Sequence, residues 1–172
     1  MAVGNLELVT SVAVTTAVNT FSVDNCFTTD YEVYMVKIDD MTTGANAIMQ
    51  FRFLDSGGSV ISTSNYDRAI LSLRDSAAFA EYRNTNTGQM GFESVGASPE
   101  GYSGILYIYN PANTSSYTFL QQQATGYTSS LVRGTKGIGV LKLAAEHRGI
   151  NLFLNTSTFQ SGQVSVYGLA SN

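Results

Sequence analysis

Apolar and polar residues alternate along most of this chain, a pattern typical of β-strands with one buried face. The run Leu6–Val14, LELVTSVAV, places leucine and valine at alternating positions. The run Ala47–Leu54, AIMQFRFL, places a methionine and two phenylalanines on one face and a glutamine and an arginine on the other. Further strands are predicted at Val18–Val23, Tyr117–Ala124, Val140–Leu143, Ile150–Leu154 and Val164–Leu169.

Two runs are apolar on both faces. They are Tyr31–Asp39, YEVYMVKID, and Gly104–Tyr109, GILYIY. Strands buried on both faces have this composition, so the pattern predicts two central strands. Their tyrosines are accordingly predicted to pack in the core: Tyr31, Tyr34, Tyr107 and Tyr109.

The segment Tyr66–Arg83 is ambiguous, because its first half, RAILSL, fits a strand whereas DSAAFAEYR fits either a strand or a short helix. The polar, glycine-bearing run Asn84–Gly91 that follows predicts an exposed loop. Earlier in the chain, Asp55–Gly58 is a turn signal between two apolar runs and predicts a hairpin that resumes at Val60.

Short strands separated by turn signals about every ten residues, with no long amphipathic helix, indicate an antiparallel sandwich or barrel. The pattern therefore predicts an all-β protein: a jelly-roll-like β-sandwich of about eight strands, with at most one short helix. No internal repeat or linker interrupts the sequence, and one domain is expected over residues 1–172.

The composition fits this fold and narrows the function. Hydrophobic residues make up 44% of the chain and charged residues 13%, about half the ~25% of average soluble domains. The formal net charge of −4 argues against binding to nucleic acid, which depends on basic surfaces. The sequence has no signal-peptide pattern, and no apolar run approaches the ~20 residues of a membrane helix.

Candidate catalytic chemistry is sparse. His147 is the only histidine and Cys26 the only cysteine, which rules out two-histidine metal sites, cysteine-rich zinc sites and internal disulfides. The nucleophile elbow of serine hydrolases and the phosphate-binding loop are both missing. We therefore expect no cofactor and no metal.

The one adjacent acidic pair is Asp39–Asp40. Glycosidases need two carboxyl groups about 5 to 9.5 Å apart, so this pair is the best enzymatic candidate. It lies where a predicted strand ends, however, and a solvated strand end explains it equally well. The sequence thus predicts a protein that is not an enzyme.

The ten tyrosines point to contacts with other molecules, because tyrosine combines a large contact area with a polar tip and is enriched at interfaces. Five of them are predicted near turns and form the candidate contact surface: Tyr66, Tyr82, Tyr102, Tyr117 and Tyr127.

Several segments resemble small β-sandwich structural proteins of tailed bacteriophages, particularly marine and cyanobacterial ones. The segment Gly104–Pro111, GILYIYNP, followed by Ser115–Thr118, SSYT, resembles a strand and turn of that family. The run Ser161–Leu169, SGQVSVYGL, is similar to its terminal strand. Phe27–Tyr31 and Ile61–Asp67 share the resemblance, and the motifs occur in a common order.

The resemblance implies a jelly-roll-like virion protein, usually a homotrimer, made in the host cytoplasm and without catalytic residues. Two roles follow. One is a capsid decoration (cement) protein that contacts the major capsid protein or another virion protein. The other is a tail-fibre or receptor-binding tip that recognises host glycans through the predicted loops Asn84–Gly91 and Ala112–Ser116.

Overall fold

The computed structural model describes residues 6–76 and 79–170, with only the backbone of Glu93 included. These residues form twelve β-strands and no helix. The strands are β1 (Leu6–Val14), β2 (Thr20–Val23), β3 (Val33–Thr43), β4 (Ala47–Asp55), β5 (Tyr66–Arg74), β6 (Ala80–Thr87), β7 (Met90–Val95), β8 (Tyr102–Tyr109), β9 (Thr118–Thr128), β10 (Leu131–Leu141), β11 (His147–Leu154) and β12 (Phe159–Leu169).

The strands form two antiparallel sheets of unequal size. The large sheet has eight strands in the order β1-β12-β3-β8-β9-β10-β5-β6, and the small sheet has four in the order β2-β11-β4-β7. The first and last strands are neighbours, with Leu6 opposite Leu169, and β12 also pairs with β3. The predicted all-β antiparallel sandwich is confirmed, although the number of strands exceeds the expected eight.

Alternation along the strands builds the core between the sheets. Met49, Phe51 and Phe53 of β4 are fully buried, as their spacing predicts. Aromatic rings connect the layers: the ring of Phe53 stacks on that of Tyr66 of β5 at 6.4 Å, and Phe92 of β7 meets Tyr102 of β8 edge-on. One continuous hydrophobic cluster results.

The two faces of the large sheet have different surroundings. Its inner face packs on the small sheet, where β7 contacts β3, β5, β9 and β10. Its outer face, turned away from the small sheet, is covered by no other element within the described residues. In β9, for example, Leu120 and Gln122 are buried on the inner face, whereas Phe119 and Gln121 are exposed on the outer face.

The structure resolves the ambiguous region as strands. Tyr66–Arg74 pairs with β10 on one side and β6 on the other, so the first half of the region is a strand. The second half continues into β6, with residues 77–78 outside the described part. The predicted loop Asn84–Gly91 is wrong: Asn84 pairs with Arg68 in β6, and β7 begins at Met90. Polar side chains are tolerated there because β6 is an edge strand.

Candidate functional site

Two of the five candidate contact tyrosines are core residues. Tyr66 is 0% exposed and Tyr102 2% exposed, so the prediction that they form a contact surface is wrong. Both lie on the inner face of the large sheet. The Tyr66 hydroxyl donates to the carbonyl of Ile61 (2.9 Å) and accepts from the backbone N–H of Phe53 (3.0 Å), which explains how a phenol is accommodated there.

The other three tyrosines are exposed but do not share one surface. Tyr82 lies on edge strand β6 and accepts a hydrogen bond from Arg74. Tyr117 precedes β9, and Tyr127 lies near the far end of the same strand, about 30 Å away at the rise of an extended chain. Contacts of these three side chains with other molecules remain a prediction.

Of the four tyrosines that were predicted to lie in the core, one is buried and three are partly exposed. Tyr34 is fully buried, and its hydroxyl donates to the carbonyl of Thr28. Tyr31 is partly exposed at the edge of the core. Tyr107 and Tyr109 point to the outer face of the large sheet and are partly exposed, so their predicted core location is wrong. Apolar residues on both faces of β8 therefore signify a surface that the described chain does not cover.

This surface continues across several strands as an apolar stripe, which we define as two rows of outer-face side chains. The pairing of the strands aligns the rows across the sheet. The first row consists of Leu6, Leu169, Val33, Tyr109, Phe119 and Val140; the second consists of Leu8, Tyr167, Met35 and Tyr107. Leu8 is 60% and Phe119 49% exposed.

The apolar stripe carries no charged side chain. An ion pair stands at its margin, where Lys37 Nζ lies 3.0 Å from Asp39 Oδ2 on β3. Asp39 is thus held by an ion pair, and the neighbouring Asp40 adopts a left-handed backbone conformation (φ 43°) with its amide hydrogen-bonded to Ser103. The acidic pair lies in the second half of β3, beyond the apolar part of its outer face.

A groove of about 720 Å³ lies beside the stripe on the same outer face. It extends from β8 across β9, β10 and β5 to β6. The side chains that line it from the outer face are Ile105, Tyr107, Gln121, Gln123, Lys136, Ile138, Ala69, Leu71, Glu81 and Arg83. Only Tyr107 belongs to both the stripe and the groove. The outer face therefore has an apolar half and a mixed, concave half.

His147 is a buried structural residue. Its ring packs against Phe53, and its Nδ1 lies 2.9 Å from the Thr118 hydroxyl. Burial lowers the pKa of this imidazole to about 4. A neutral imidazole enclosed by the core is inaccessible to substrate, so it does not offer a general base at a surface site.

Cys26 is likewise enclosed. Its Sγ donates to the carbonyl of Val23 at 3.3 Å, and burial raises the thiol pKa to about 12. A thiol with this pKa is protonated at neutral pH and is a poor nucleophile. The described residues contain no group of three histidine, cysteine, aspartate or glutamate side chains placed to hold a metal ion.

No sequence pattern indicates the groove, because its residues come from five strands whose order in the sheet differs from their order in the chain. Comparisons with protein-family models, curated proteins and solved structures found no match. Within the described residues, no helix has the length and apolar character needed to cross a membrane.

Proposed function

We propose that this chain is a structural protein of a bacteriophage particle, a capsid decoration (cement) protein that assembles as a homotrimer and stabilises the head. The observation that carries the proposal is the apolar stripe. Three of its members, Leu6, Leu8 and Phe119, are about half exposed and the other seven are partly exposed, and contiguous apolar patches at a surface mark sites of protein association. The resemblance of the Gly104–Pro111 and Ser161–Leu169 segments to phage β-sandwich proteins supports the same role.

The composition of the stripe favours a second copy of this chain as the occupant. The first row crosses six strands, a width of about 24 Å at the usual spacing between strands. Because the stripe has no charged side chain, copies can meet there without bringing like charges together, even though each chain carries a net charge of −4. Leucine, tyrosine and phenylalanine, which dominate the stripe, pack well against themselves.

Attachment to the head then uses surfaces outside the stripe. The three exposed candidate tyrosines are not members of the stripe rows, although Tyr117 comes only two residues before Phe119 of the first row. They are the side chains we propose for contacts with the major capsid protein. Tyrosine suits this role because its ring supplies area and its hydroxyl a hydrogen bond. No step of the proposed function requires catalysis.

The test is binding to phage heads that lack this protein. Purified protein mixed with heads from a phage deleted for its gene should sediment with them and raise the temperature at which they release DNA. A Tyr117→Ala, Tyr127→Ala variant should bind less well, whereas Tyr31→Phe serves as a tyrosine control outside the proposed contact. Absence of binding by a trimeric, folded protein would contradict the decoration role.

Position in the particle distinguishes the decoration role from the alternative role, a receptor-binding tip of a tail fibre. Immuno-electron microscopy of intact virions should place label over the head. Label confined to the distal end of the tail would reject the decoration role in favour of the fibre tip.

A further inference from the structure

We infer that the groove on the outer face of the large sheet is a binding site for an oligosaccharide. The inference is independent of whether the protein occupies the head or the tail, because it depends on the groove alone. The groove lies on a sheet face and includes neither of the predicted glycan-binding loops, and most of Asn84–Gly91 is strand.

The groove contains two amide side chains whose hydrogen-bonding groups are not used within the described residues. Gln121 and Gln123 project from β9 on the outer face, and both are exposed. Neither amide has a hydrogen-bond partner within the described part of the chain. Each amide offers both donors and acceptors, as sugar hydroxyl groups do. Two such side chains in adjacent rows can therefore bond to neighbouring hydroxyl groups.

Charged groups extend this set on the other side of the groove. Lys136, Leu71 and Glu81 stand opposite one another across β10, β5 and β6. Arg83 follows two residues after Glu81 on the same face. Lys136, Glu81 and Arg83 form no ion pair within the described residues, although Glu81 and Arg83 share one face of β6 and only β5 lies between Glu81 and Lys136. The groove thus offers a carboxylate and two cations to a ligand.

Apolar surface lies between these polar groups. Ile138 is 61% exposed, and Leu71 and Tyr107 also line the groove. A sugar ring has apolar C–H faces and polar edges, and it matches a surface on which apolar and polar side chains alternate. The spacing of about 4.8 Å between strands is close to the length of one pyranose unit, so successive sugars would meet successive strands.

The geometry disfavours the other classes of ligand. An extended peptide adds to a sheet edge, where backbone groups are free, whereas four of the five groove strands, β8, β9, β10 and β5, are paired on both sides and only β6 is an edge strand. A fully apolar ligand would strip water from five long polar side chains without replacing their hydrogen bonds. Nucleic acid binding needs a broader basic surface than two cations beside a carboxylate.

The floor is also rigid before any ligand arrives. Strands β8, β9, β10 and β5 are joined by continuous hydrogen-bonded ladders, and the side chains project from this scaffold at fixed spacing. The backbone of the site is therefore preorganised, and the conformational entropy lost on binding comes from the exposed side chains. An open, shallow groove of this kind suits a chain that passes through it rather than a small molecule enclosed on all sides.

The experiment screens the folded, full-length protein against two sets of immobilised bacterial oligosaccharides, one from lipopolysaccharide O-chains and one from capsules, each with neutral and acidic members. We expect at least one oligosaccharide to bind, and the set from which it comes identifies the source. In titration calorimetry, the double variant Gln121→Ala, Gln123→Ala should weaken its binding roughly tenfold or more, because two hydrogen-bonding side chains are removed.

Gln160→Ala is the matched control, since Gln160 is exposed on β12 outside the groove and should leave affinity unchanged. All variants are checked for unchanged thermal unfolding. Absence of binding to both sets at millimolar concentration, or equal affinity of the double variant and the wild type, would overturn the inference. Neither result would change binding to phage heads that lack this protein, so this test is independent of the test of the decoration role.

Discussion

The hydroxyl of Thr118 lies 2.9 Å from Nδ1 of His147, and both side chains are buried. The opposite ring nitrogen, Nε2, has no hydrogen-bond partner among the described residues. This geometry accommodates a neutral imidazole but leaves a protonated one poorly solvated, which gives the protein a titratable group in its core.

We therefore expect stability to fall as the pH drops from about 6.5 towards 4. The folded-state pKa of His147 is about 4, below the ordinary value of 6.5, so the unfolded chain takes up the proton first. Stability is unaffected by this group above pH 6.5, and about 3 kcal/mol is lost across the window. Urea unfolding measured from pH 8 to pH 4 checks this, with His147→Gln as the control for other titrating groups. Equal pH slopes in both proteins would show that the histidine is not responsible.

Tyr66→Phe tests whether the buried phenol stabilises the fold. Removing its hydroxyl leaves the Ile61 carbonyl and the Phe53 N–H without their partner. We expect a loss of about 1–3 kcal/mol in the free energy of unfolding, measured by chemical denaturation. The exposed Tyr117 provides the comparison, since Tyr117→Phe should change stability little. A similar small effect at both positions would contradict the role assigned to Tyr66.

Gly168→Ala tests a close contact in the terminal strand. The ring of Tyr31 lies directly on Gly168, so closely that an added Cβ would overlap it. That ring cannot move freely, because it packs edge-on against Tyr34 and its hydroxyl bonds to Glu7. We expect a loss of about 1–3 kcal/mol from overpacking, measured by thermal unfolding. Gly57→Ala, in an exposed turn, should be nearly neutral; destabilisation of equal size there would refute the explanation.

Cys26 should be unreactive in the folded protein. Its burial and its raised pKa, about 12, keep it protonated and shielded at pH 8. Incubation with a thiol reagent such as Ellman's reagent should label it only after urea is added, and the rate of labelling should then report global unfolding. Rapid labelling without denaturant would mean that the segment around Cys26 opens independently of the core.

Phe119→Lys should dissociate the proposed trimer, because it places a charge within the first row of the stripe at a side chain that is 49% exposed. Light scattering should give about three times the 18.5 kDa chain mass for the wild type and a smaller mass for the variant. Thr125→Lys adds the same charge on the same strand and face, outside the stripe, and should remain trimeric. A monomeric wild type, or a variant that keeps the wild-type mass, would reject self-association through the stripe.

The sequence pattern correctly predicted the fold class and the face of β4 that enters the core, since both depend on local alternation. It was insufficient for Asn84–Gly91, where polar residues form an edge strand whose partner, β5, supplies the hydrogen bonds. It also misplaced Tyr66 and Tyr102, because residues at strand ends enter the core when a second sheet covers those ends.

Tyr107 and Tyr109 show a second limit of prediction from sequence alternation. Local alternation indicates that both faces of β8 are apolar, but it does not indicate what covers each face. The stripe and the groove became visible only when the strand order aligned residues far apart in sequence. Tyr107 and Gln121 are neighbours because β8 and β9 are consecutive strands of a hairpin. Leu71 and Lys136 are neighbours because β5 pairs with β10, which is distant in the sequence.

The pairing of the first strand with the last has a consequence for how the molecule forms. Strand β12 lies between β1 and β3, so neither of those strands has its full set of partners until the chain is made through Leu169. At about 5–20 residues per second of synthesis, one backbone edge of β3 lacks its partner strand for roughly ten seconds. Folding dominated by such long-range pairing is slow, and the edge that depends on β12 is the edge of the large sheet where the stripe begins.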